Sequence, residues 1–153
     1  VQRLLHVLKY KENKKIGFDI GVYYGELIKK EMLLLEIDYL LPVPIHPKKL
    51  KKRGYNQAEV FSLGLSESIK IVTKINFLEK IKETGSQTKE SKNERFENIK
   101  GSFTINDGES LRGKNIAIID DVLTTGATLE EIAHILKKEG VSKLIIITIA
   151  TAF

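Results

Sequence analysis

Hydrophobic and polar positions follow two different periods along this chain, and their alternation predicts strands separated by helices. The unbroken apolar run of residues 116–119 is typical of a strand that is buried on both faces of a parallel sheet. Beyond it, Leu129, Ile132 and Leu136 repeat at helical spacing, and Gly140 is a common residue just past a helix end. A buried strand that leads directly into an amphipathic helix predicts the α/β class.

The rest of the chain continues this alternation less regularly. The predicted helices span residues 17–36 and 56–71, and the other predicted strands span residues 39–45, 75–81, 101–105 and 143–150. Residues 46–55, rich in Pro and Lys, form a predicted loop, and residues 83–100 form a second one that is either disordered or a functional lid. We expect a single domain over residues 1–153, with a central, mostly parallel sheet flanked by helices.

Composition and charge narrow the classes of protein that the chain can belong to. The sequence has no Cys, which excludes disulfides, thiolate metal sites and a cysteine nucleophile. A membrane-spanning helix needs an apolar run of roughly eighteen residues, and no run in this sequence approaches that length. The sequence also shows no signal-peptide pattern, so we expect a cytoplasmic protein without membrane insertion. The net charge is +5, and five cations lie within residues 48–53. This cluster is either solvated surface or a patch for phosphates on a small molecule or a nucleic acid.

The strongest chemical signal is the segment that follows the apolar run 116–119. Two adjacent carboxylates, Asp120 and Asp121, end the strand, and a small, hydroxyl-rich segment follows: Val122, Leu123, Thr124, Thr125, Gly126, Ala127 and Thr128. Threonine hydroxyls and the unpartnered first amides of the next helix suit a phosphate. The carboxylates suit neighbouring hydroxyls or a hydrated Mg²⁺ held by other phosphates of the ligand. A ribose 5-phosphate offers both groups, whereas the simpler alternative is a capped strand-to-helix turn.

Three stretches, taken in order, resemble a known family. The first runs Pro42-Val-Pro44-Ile-His46-Pro47 and continues through Lys51-Lys52-Arg53-Gly54-Tyr55-Asn56-Gln57-Ala58. The second comprises Thr84, Gln87, Arg95, Asn98, Gly101 and Phe103, and the third is the segment 116–128. The third stretch resembles the phosphoribosyl-diphosphate (PRPP) motif of type I phosphoribosyltransferases. The ordered set resembles the competence-protein ComF family, which has that fold.

The resemblance implies that PRPP is the ligand, that Mg²⁺ is the cofactor, and that a 5-phosphoribosyl group is transferred or recognised. Asp120 and Asp121 would be the catalytic residues and would meet Mg²⁺ only through water, while residues 122–128 would bind the 5-phosphate. Arg53, Lys52 and His46 would bind the diphosphate, and Arg53 is the best candidate because a guanidinium can engage phosphate oxygens in bidentate fashion. The loop of about residues 83–100, with Thr84, Gln87, Arg95 and Asn98, would close over the site and exclude water.

Two other functions stay open at this level. A competence protein with this fold can bind single-stranded DNA through its basic loops and act with other proteins of the competence machinery. If all five cations of residues 48–53 met DNA phosphates, the logarithm of the binding constant would fall with log salt at a slope of about −3.5. A catalytically silent PRPP sensor would use the same site, because fold and motif do not establish turnover. The acceptor is a base, an amine or glutamine-derived ammonia.

The beginning of the chain differs from the family pattern. Members of the ComF family commonly carry an N-terminal cysteine-rich, zinc-binding element, and nothing in this sequence can serve as one. The sequence also starts at Val1 rather than at Met. We therefore expect the domain to be N-terminally truncated.

Overall fold

A parallel sheet forms the centre of the protein, as the sequence predicts. The computed structural model describes residues 14–83 and 92–151. Its strands are β1 (Tyr39–Pro42), β2 (Val72–Thr73), β3 (Leu78–Lys80), β4 (Phe103–Ile105), β5 (Asn115–Leu123) and β6 (Lys143–Thr151). The order in the central sheet is β2-β1-β5-β6 with every pair parallel, and β3 and β4 form a separate antiparallel pair.

Helices flank this sheet on both faces. They are α1 (Lys14–Leu34), α2 (Pro47–Arg53), α3 (Gln57–Ile69), α4 (Lys92–Ile99) and α5 (Ala127–Lys138), with a short 3-10 turn at Glu109–Leu111. The predicted helices at residues 17–36 and 56–71 and the helix after the phosphate motif are confirmed. Within the described ranges 14–83 and 92–151, no helix is both long and apolar enough to cross a bilayer.

Strand β5 separates two hydrophobic cores because its successive side chains point to opposite faces. Ile116 and Ile118 are fully buried in the core that α5 and the β3–β4 pair cover. Ala117 and Ile119 are fully buried in the core that α1 and α3 cover. This double burial explains why the strand reads as an unbroken apolar run rather than an alternating one.

The prediction of a loop over residues 46–55 is wrong, because α2 occupies most of it. Pro47 is the first residue of this helix, where a missing N–H costs no hydrogen bond. Gly54 ends it in the left-handed conformation with φ 81°, and its N–H donates to the Leu50 carbonyl at 2.6 Å. Neither end cap depends on an apolar face, so hydrophobic periodicity does not reveal this helix.

The predicted strand at residues 75–81 is also wrong in its bounds. Val72 and Thr73 pair with β1 in the central sheet, whereas Leu78–Lys80 pairs with β4 in the antiparallel hairpin. Between them the backbone turns at Asn76, which adopts φ 67°, a conformation that Asn tolerates better than most residues. The turn divides one apolar stretch between two sheets.

The predicted loop at residues 83–100 contains a helix in the part that the structure describes. Helix α4 carries Phe96 and Ile99 three positions apart, so both lie on one face, and both pack into the core beneath α5. Two apolar side chains are too few to reveal a helical period in a segment otherwise made of polar residues. Thr84 and Gln87 lie outside the described residues.

Candidate functional site

The site lies where the carboxyl ends of β1 and β5 adjoin. Pro42 of β1 stands beside Ile119 of β5, and the N–H of Val43 donates to the Ile119 carbonyl at 2.8 Å. The prediction that the carboxylate pair ends the strand is wrong, because β5 continues to Leu123 in register with β6. Asp120 and Asp121 lie just beyond the last residue of β5 that pairs with β1, so they share one edge of the sheet with the turn after β1. In this sheet the chain runs from β1 outward to β2 and from β5 outward to β6, so the two strands flank the point where strand order reverses. Open α/β sheets bind ligands at this point.

The segment predicted to bind a 5-phosphate forms a cradle around the start of α5. Residues 122–129 line a small cavity together with Asp120. Gly126 immediately precedes the helix with φ 82°, a left-handed conformation that favours glycine. No side chain in the described chain caps this helix, so its first amides point outward without a side-chain acceptor. The arrangement suits an anion, which the helix dipole favours by roughly 0.3–1 kcal/mol.

The carboxylate pair stands beside this cradle in an unfavourable electrostatic setting. Asp120 is half-buried, and its Oδ1 accepts a hydrogen bond from the backbone N–H of Asp121 at 2.8 Å. Burial, followed by repulsion from the Asp121 carboxylate, raises the pKa of Asp120 well above its ordinary value. A hydrated divalent cation prefers oxygen ligands and would relieve the repulsion between these two groups. The pair therefore offers two oxygen donors of the kind that Mg²⁺ prefers, while no group of three or more His, Cys, Asp or Glu that could hold a metal by itself occurs among the described residues.

Lys80 is a site residue that sequence reasoning missed. It lies half-buried on β3, with its Nζ 5.2 Å from the centroid of the Phe103 ring. Burial lowers the pKa of Lys80, the neighbouring Lys49 lowers it further, and attraction to Asp120 opposes both effects. The hairpin thus places a cation within electrostatic reach of the carboxylate pair. Because hairpin and strand are far apart in sequence, no local pattern indicates this proximity.

A cleft of about 350 Å³ adjoins this region. It lies between α2 and the β3–β4 hairpin, and its lining includes Pro44, Leu50, Glu59 and Lys80. Its volume lies in the range of small-molecule sites, roughly 300–1,000 Å³. Lys80 connects the cleft with the carboxylate pair.

Helix α2 carries the residues predicted to bind the diphosphate. The guanidinium of Arg53, half-buried at the end of α2, donates to Oε1 of Gln57 at 3.1 Å. His46 Nδ1 accepts a hydrogen bond from the backbone N–H of Lys48 at 3.3 Å, which makes this imidazole part of the helix cap. Lys52 is exposed to solvent.

The helical form of α2 divides its five cations between two faces. Lys48, Lys51 and Lys52 are exposed and lie on one side of a helix with 3.6 residues per turn. Lys49 and Arg53 are half-buried and lie on the side that faces the protein. Lys48 also forms an ion pair of 2.7 Å with Glu83. The five cations therefore do not form a single patch.

Asn56 joins the turn after β1 to the start of α3. Its Nδ2 donates to the Val43 carbonyl at 2.9 Å, and its Oδ1 accepts from the N–H of Ala58 at 3.2 Å. We expect Asn56→Ala to lower the free energy of unfolding by about 2 kcal/mol, because a helix cap and a buried hydrogen bond are lost together. Urea unfolding measures the change. The control is Asn106→Ala, which removes one exposed hydrogen bond to the Asn76 carbonyl and should cost less than half as much; equal losses would contradict the role of Asn56.

Most of the predicted lid residues fall outside the described part of the chain. Thr84, Gln87 and the side chain of Arg95 are not among the described parts of the chain. Asn98 is exposed on α4, and its carbonyl accepts a hydrogen bond from Ser102 Oγ at 3.4 Å. Closure of this segment over a ligand stays a prediction.

The amino-acid sequence is similar to curated competence and DNA utilization proteins. The chain is 35% identical over 106 residues to competence protein F of Haemophilus influenzae. This alignment covers 69% of this chain and 46% of that protein. It is 26% identical over 149 residues to the DNA utilization protein YhgH of Escherichia coli, and this alignment covers 90% of this chain and 61% of the relative. The chain thus spans about half of the length of the curated relatives it matches.

The fold is shared with solved structures as well. A hypoxanthine phosphoribosyltransferase from Staphylococcus aureus superposes with a TM-score of 0.54 at 21% identity, over 88% of this chain and 62% of that one. Residues 51–152 match the phosphoribosyl transferase domain family, which confirms the predicted fold. The chain therefore belongs to the phosphoribosyl transferase domain family, and its competence-protein relatives confirm the resemblance to ComF.

Proposed function

We propose that this chain binds PRPP with Mg²⁺ at the carboxyl edge of its sheet and transfers the 5-phosphoribosyl group to an acceptor. The observation that carries the proposal is the uncapped start of α5 beside the adjacent carboxylates Asp120 and Asp121. A phosphate at the helix start and a hydroxylated or cation-bearing group at the carboxylates are the two ends of a ribose 5-phosphate. The half-buried Arg53 adds a cation for the diphosphate at the other side of the same edge.

In the proposed reaction the bond between ribose C1 and the diphosphate oxygen breaks, and the diphosphate leaves with the bonding electrons. The acceptor forms the new bond to C1 from the opposite face, and its proton passes to a carboxylate. Asp120 is the proposed base, because burial and the neighbouring carboxylate raise its pKa and so make its carboxylate a stronger proton acceptor than an ordinary Asp. The cradle at residues 122–128 holds the 5-phosphate, so the protein contributes position and charge stabilisation rather than covalent chemistry.

The same carboxylates would bind the proposed cofactor, Mg²⁺. Asp120 and Asp121 would hold Mg²⁺ through water, with the phosphates of PRPP as its other ligands. When bound, the ion supplies charge neutralisation for the diphosphate. Arg53 neutralises part of that charge from the protein side, in the bidentate geometry that a guanidinium allows.

Calorimetry of PRPP binding with and without Mg²⁺ tests the proposal. We expect binding that requires Mg²⁺ and is lost in the double variant Asp120→Ala, Asp121→Ala. Release of diphosphate with a base, an amine or ammonia as acceptor then distinguishes a transferase from a PRPP sensor, which would bind without turnover. Absence of PRPP binding by the intact chain would contradict both.

Arg53→Lys tests the diphosphate contact. Lysine keeps the charge but loses the planar, two-pronged donor geometry, so we expect PRPP to bind about tenfold more weakly, equivalent to about 1.4 kcal/mol. Lys51→Ala serves as the control, since this exposed side chain lies on the opposite face of α2. If the two variants changed the affinity for PRPP equally, the bidentate role of Arg53 would be wrong.

A second function, binding of single-stranded DNA, is favoured by two observations. Relatives carry the names competence protein F and DNA utilization protein YhgH. The exposed face of α2 presents three cations, Lys48, Lys51 and Lys52. Three phosphate contacts predict a salt slope of about −2 for single-stranded DNA, shallower than the value for all five cations.

Fluorescence anisotropy with a labelled oligonucleotide measures this slope. Reversing the three lysines to glutamate should abolish binding, whereas reversing Lys137 and Lys138 at the end of α5 should change it little. An equal loss in both variants would indicate unspecific attraction to the positive net charge.

A further inference from the structure

Gln57 belongs to the Arg-Gly-Tyr-Asn-Gln stretch, and the reaction outlined above gives its side chain no role. It is the first residue of α3 and only 3% exposed. Its Oε1 accepts the hydrogen bond from Arg53 at 3.1 Å, but its Nε2 is buried without a hydrogen-bond partner in the part of the chain that the structure describes. A buried donor without a partner destabilises the folded state, so its presence calls for an explanation.

The hydrogen bond from Arg53 determines which end of the Gln57 side-chain amide is the oxygen and which is the nitrogen. A guanidinium has only donors, so the end of the amide that meets Arg53 must be Oε1. The opposite end, Nε2, is then the free donor. An exchange of the two amide atoms would set donor against donor and is therefore excluded.

The backbone around this pair is rigidly held. Gly54 ends α2 in its left-handed conformation, and Asn56 starts α3 while it also bonds to the Val43 carbonyl. Arg53 and Gln57 are thus fixed by the helices that carry them, four positions apart. The first turn of α3 also presents its positive dipole end, which favours an anion nearby.

We propose that Gln57 is a ligand-binding and positioning residue for the diphosphate of PRPP, an inference that rests on the proposed function. Its Oε1 orients the guanidinium of Arg53, and its Nε2 donates a hydrogen bond to a phosphate oxygen of the bound ligand. Both amide atoms are attached to one carbon, so Nε2 lies next to the atom that holds the guanidinium, and a phosphate bound there is the proposed acceptor for its hydrogen bond. Before the ligand binds, Nε2 has no hydrogen-bond partner among the described residues, and the phosphate oxygen of the ligand provides one.

The main test variant is Gln57→Met, which has a similar volume and lacks both polar atoms. Titration of the full chain with inorganic diphosphate and with PRPP, each with Mg²⁺, should show about tenfold weaker binding. The thermal midpoint should stay the same or rise, because an unpaired buried donor has been removed. A residue with a merely structural role would lower the thermal midpoint instead.

Gln57→Glu separates the two roles. Glutamate keeps an acceptor for Arg53 but replaces the free donor with negative charge, so diphosphate should bind more than tenfold more weakly although Arg53 stays held. Arg53→Lys combined with Gln57→Met should lose less than the sum of the single losses, since Gln57 acts partly through Arg53. Ser68→Ala is the control: this residue of α3 is 4% exposed and donates to the Val22 carbonyl at 2.6 Å, away from the site. It should lower the thermal midpoint and leave binding unchanged.

The outcomes are distinguishable from those for the proposed function. If the wild-type chain binds PRPP and Gln57→Met binds it equally well, this inference is wrong and the proposed function stands. If Gln57→Met loses both stability and affinity, Gln57 is structural and the inference is wrong. If the wild-type chain binds neither PRPP nor diphosphate, both are overturned.

Discussion

Asp120→Asn is expected to stabilise the protein at pH 7 and to abolish Mg²⁺-dependent PRPP binding. Asparagine keeps an oxygen that accepts the hydrogen bond from the Asp121 N–H, so the local geometry is retained. It removes the charge that burial and Asp121 disfavour, since both raise the pKa of Asp120. A gain of about 1 kcal/mol would raise the thermal midpoint by about 2–4 °C in a domain of this size. Calorimetry on the same samples measures PRPP binding.

The pH dependence of this stabilisation has a definite sign. The pKa of Asp120 is higher in the folded chain than in the unfolded chain, so the folded state binds more protons between the two values. Stability should therefore fall as the pH rises from about 4, the unfolded value, through the raised folded pKa. The Asp120→Asn variant should lack this fall, and the gap between the two curves should widen toward neutral pH.

Asp38 provides a control of opposite sign. Its carboxylate accepts from the N–H of Asn115 at 2.8 Å and from Lys114 at 3.2 Å, and the Asn115 bond is the main reason that the pKa of Asp38 is lowered. The stability it contributes is present above the unfolded pKa and is lost as the pH falls through the folded one. Asp38→Asn should thus destabilise at pH 7. If Asp120→Asn also destabilised, or kept full PRPP affinity, the role assigned to Asp120 would be wrong.

Gly21→Ala should destabilise the protein by about 2 kcal/mol or more, although the same change in an exposed helix is worth about 1 kcal/mol of stabilisation. A Cβ at Gly21 would lie 2.9 Å from the Cα of Gly64 and from the N of Leu65, and closer still to the Phe61 carbonyl. These are backbone atoms of α3, which cannot rotate away as a side chain would. The two helices would have to separate and open the core that they share.

Urea unfolding of Gly21→Ala measures this cost. Tyr23→Ala is the matched control in the same turn of α1, because that side chain is 71% exposed and its loss should change stability by no more than about 0.5 kcal/mol. A stabilising Gly21→Ala would mean that α1 and α3 are not in close contact. It would overturn the helix pairing that supports this face of the sheet.

The sequence alone was sufficient for three strands of the central sheet, β1, β5 and β6, and for the candidate phosphate cradle. Both depend on neighbouring residues: an apolar run buried on two faces, a carboxylate pair, a left-handed Gly126 and an amphipathic helix follow one another within residues 116–138. Periodicity and turn chemistry are local properties, so a linear pattern carries them. The cap at Asn56 was predictable for the same reason.

Other features depended on contacts between distant segments, and only the tertiary structure decided them. Two side chains, Phe96 and Ile99, pack helix α4 against α5. Gly21 and Gly64 lie opposite each other where the backbones of α1 and α3 come into close contact, and a side chain at either position would prevent that contact. Lys80 lies within electrostatic reach of Asp120, forty positions away in the sequence. The unpaired Nε2 of Gln57 is recognised only from the packing around it. The sequence by itself determined the strands β1, β5 and β6, the carboxylate pair and the cradle, because their signals are local. The tertiary structure decided which distant charges and donors surround them, because those positions are set by packing between elements that no sequence period relates.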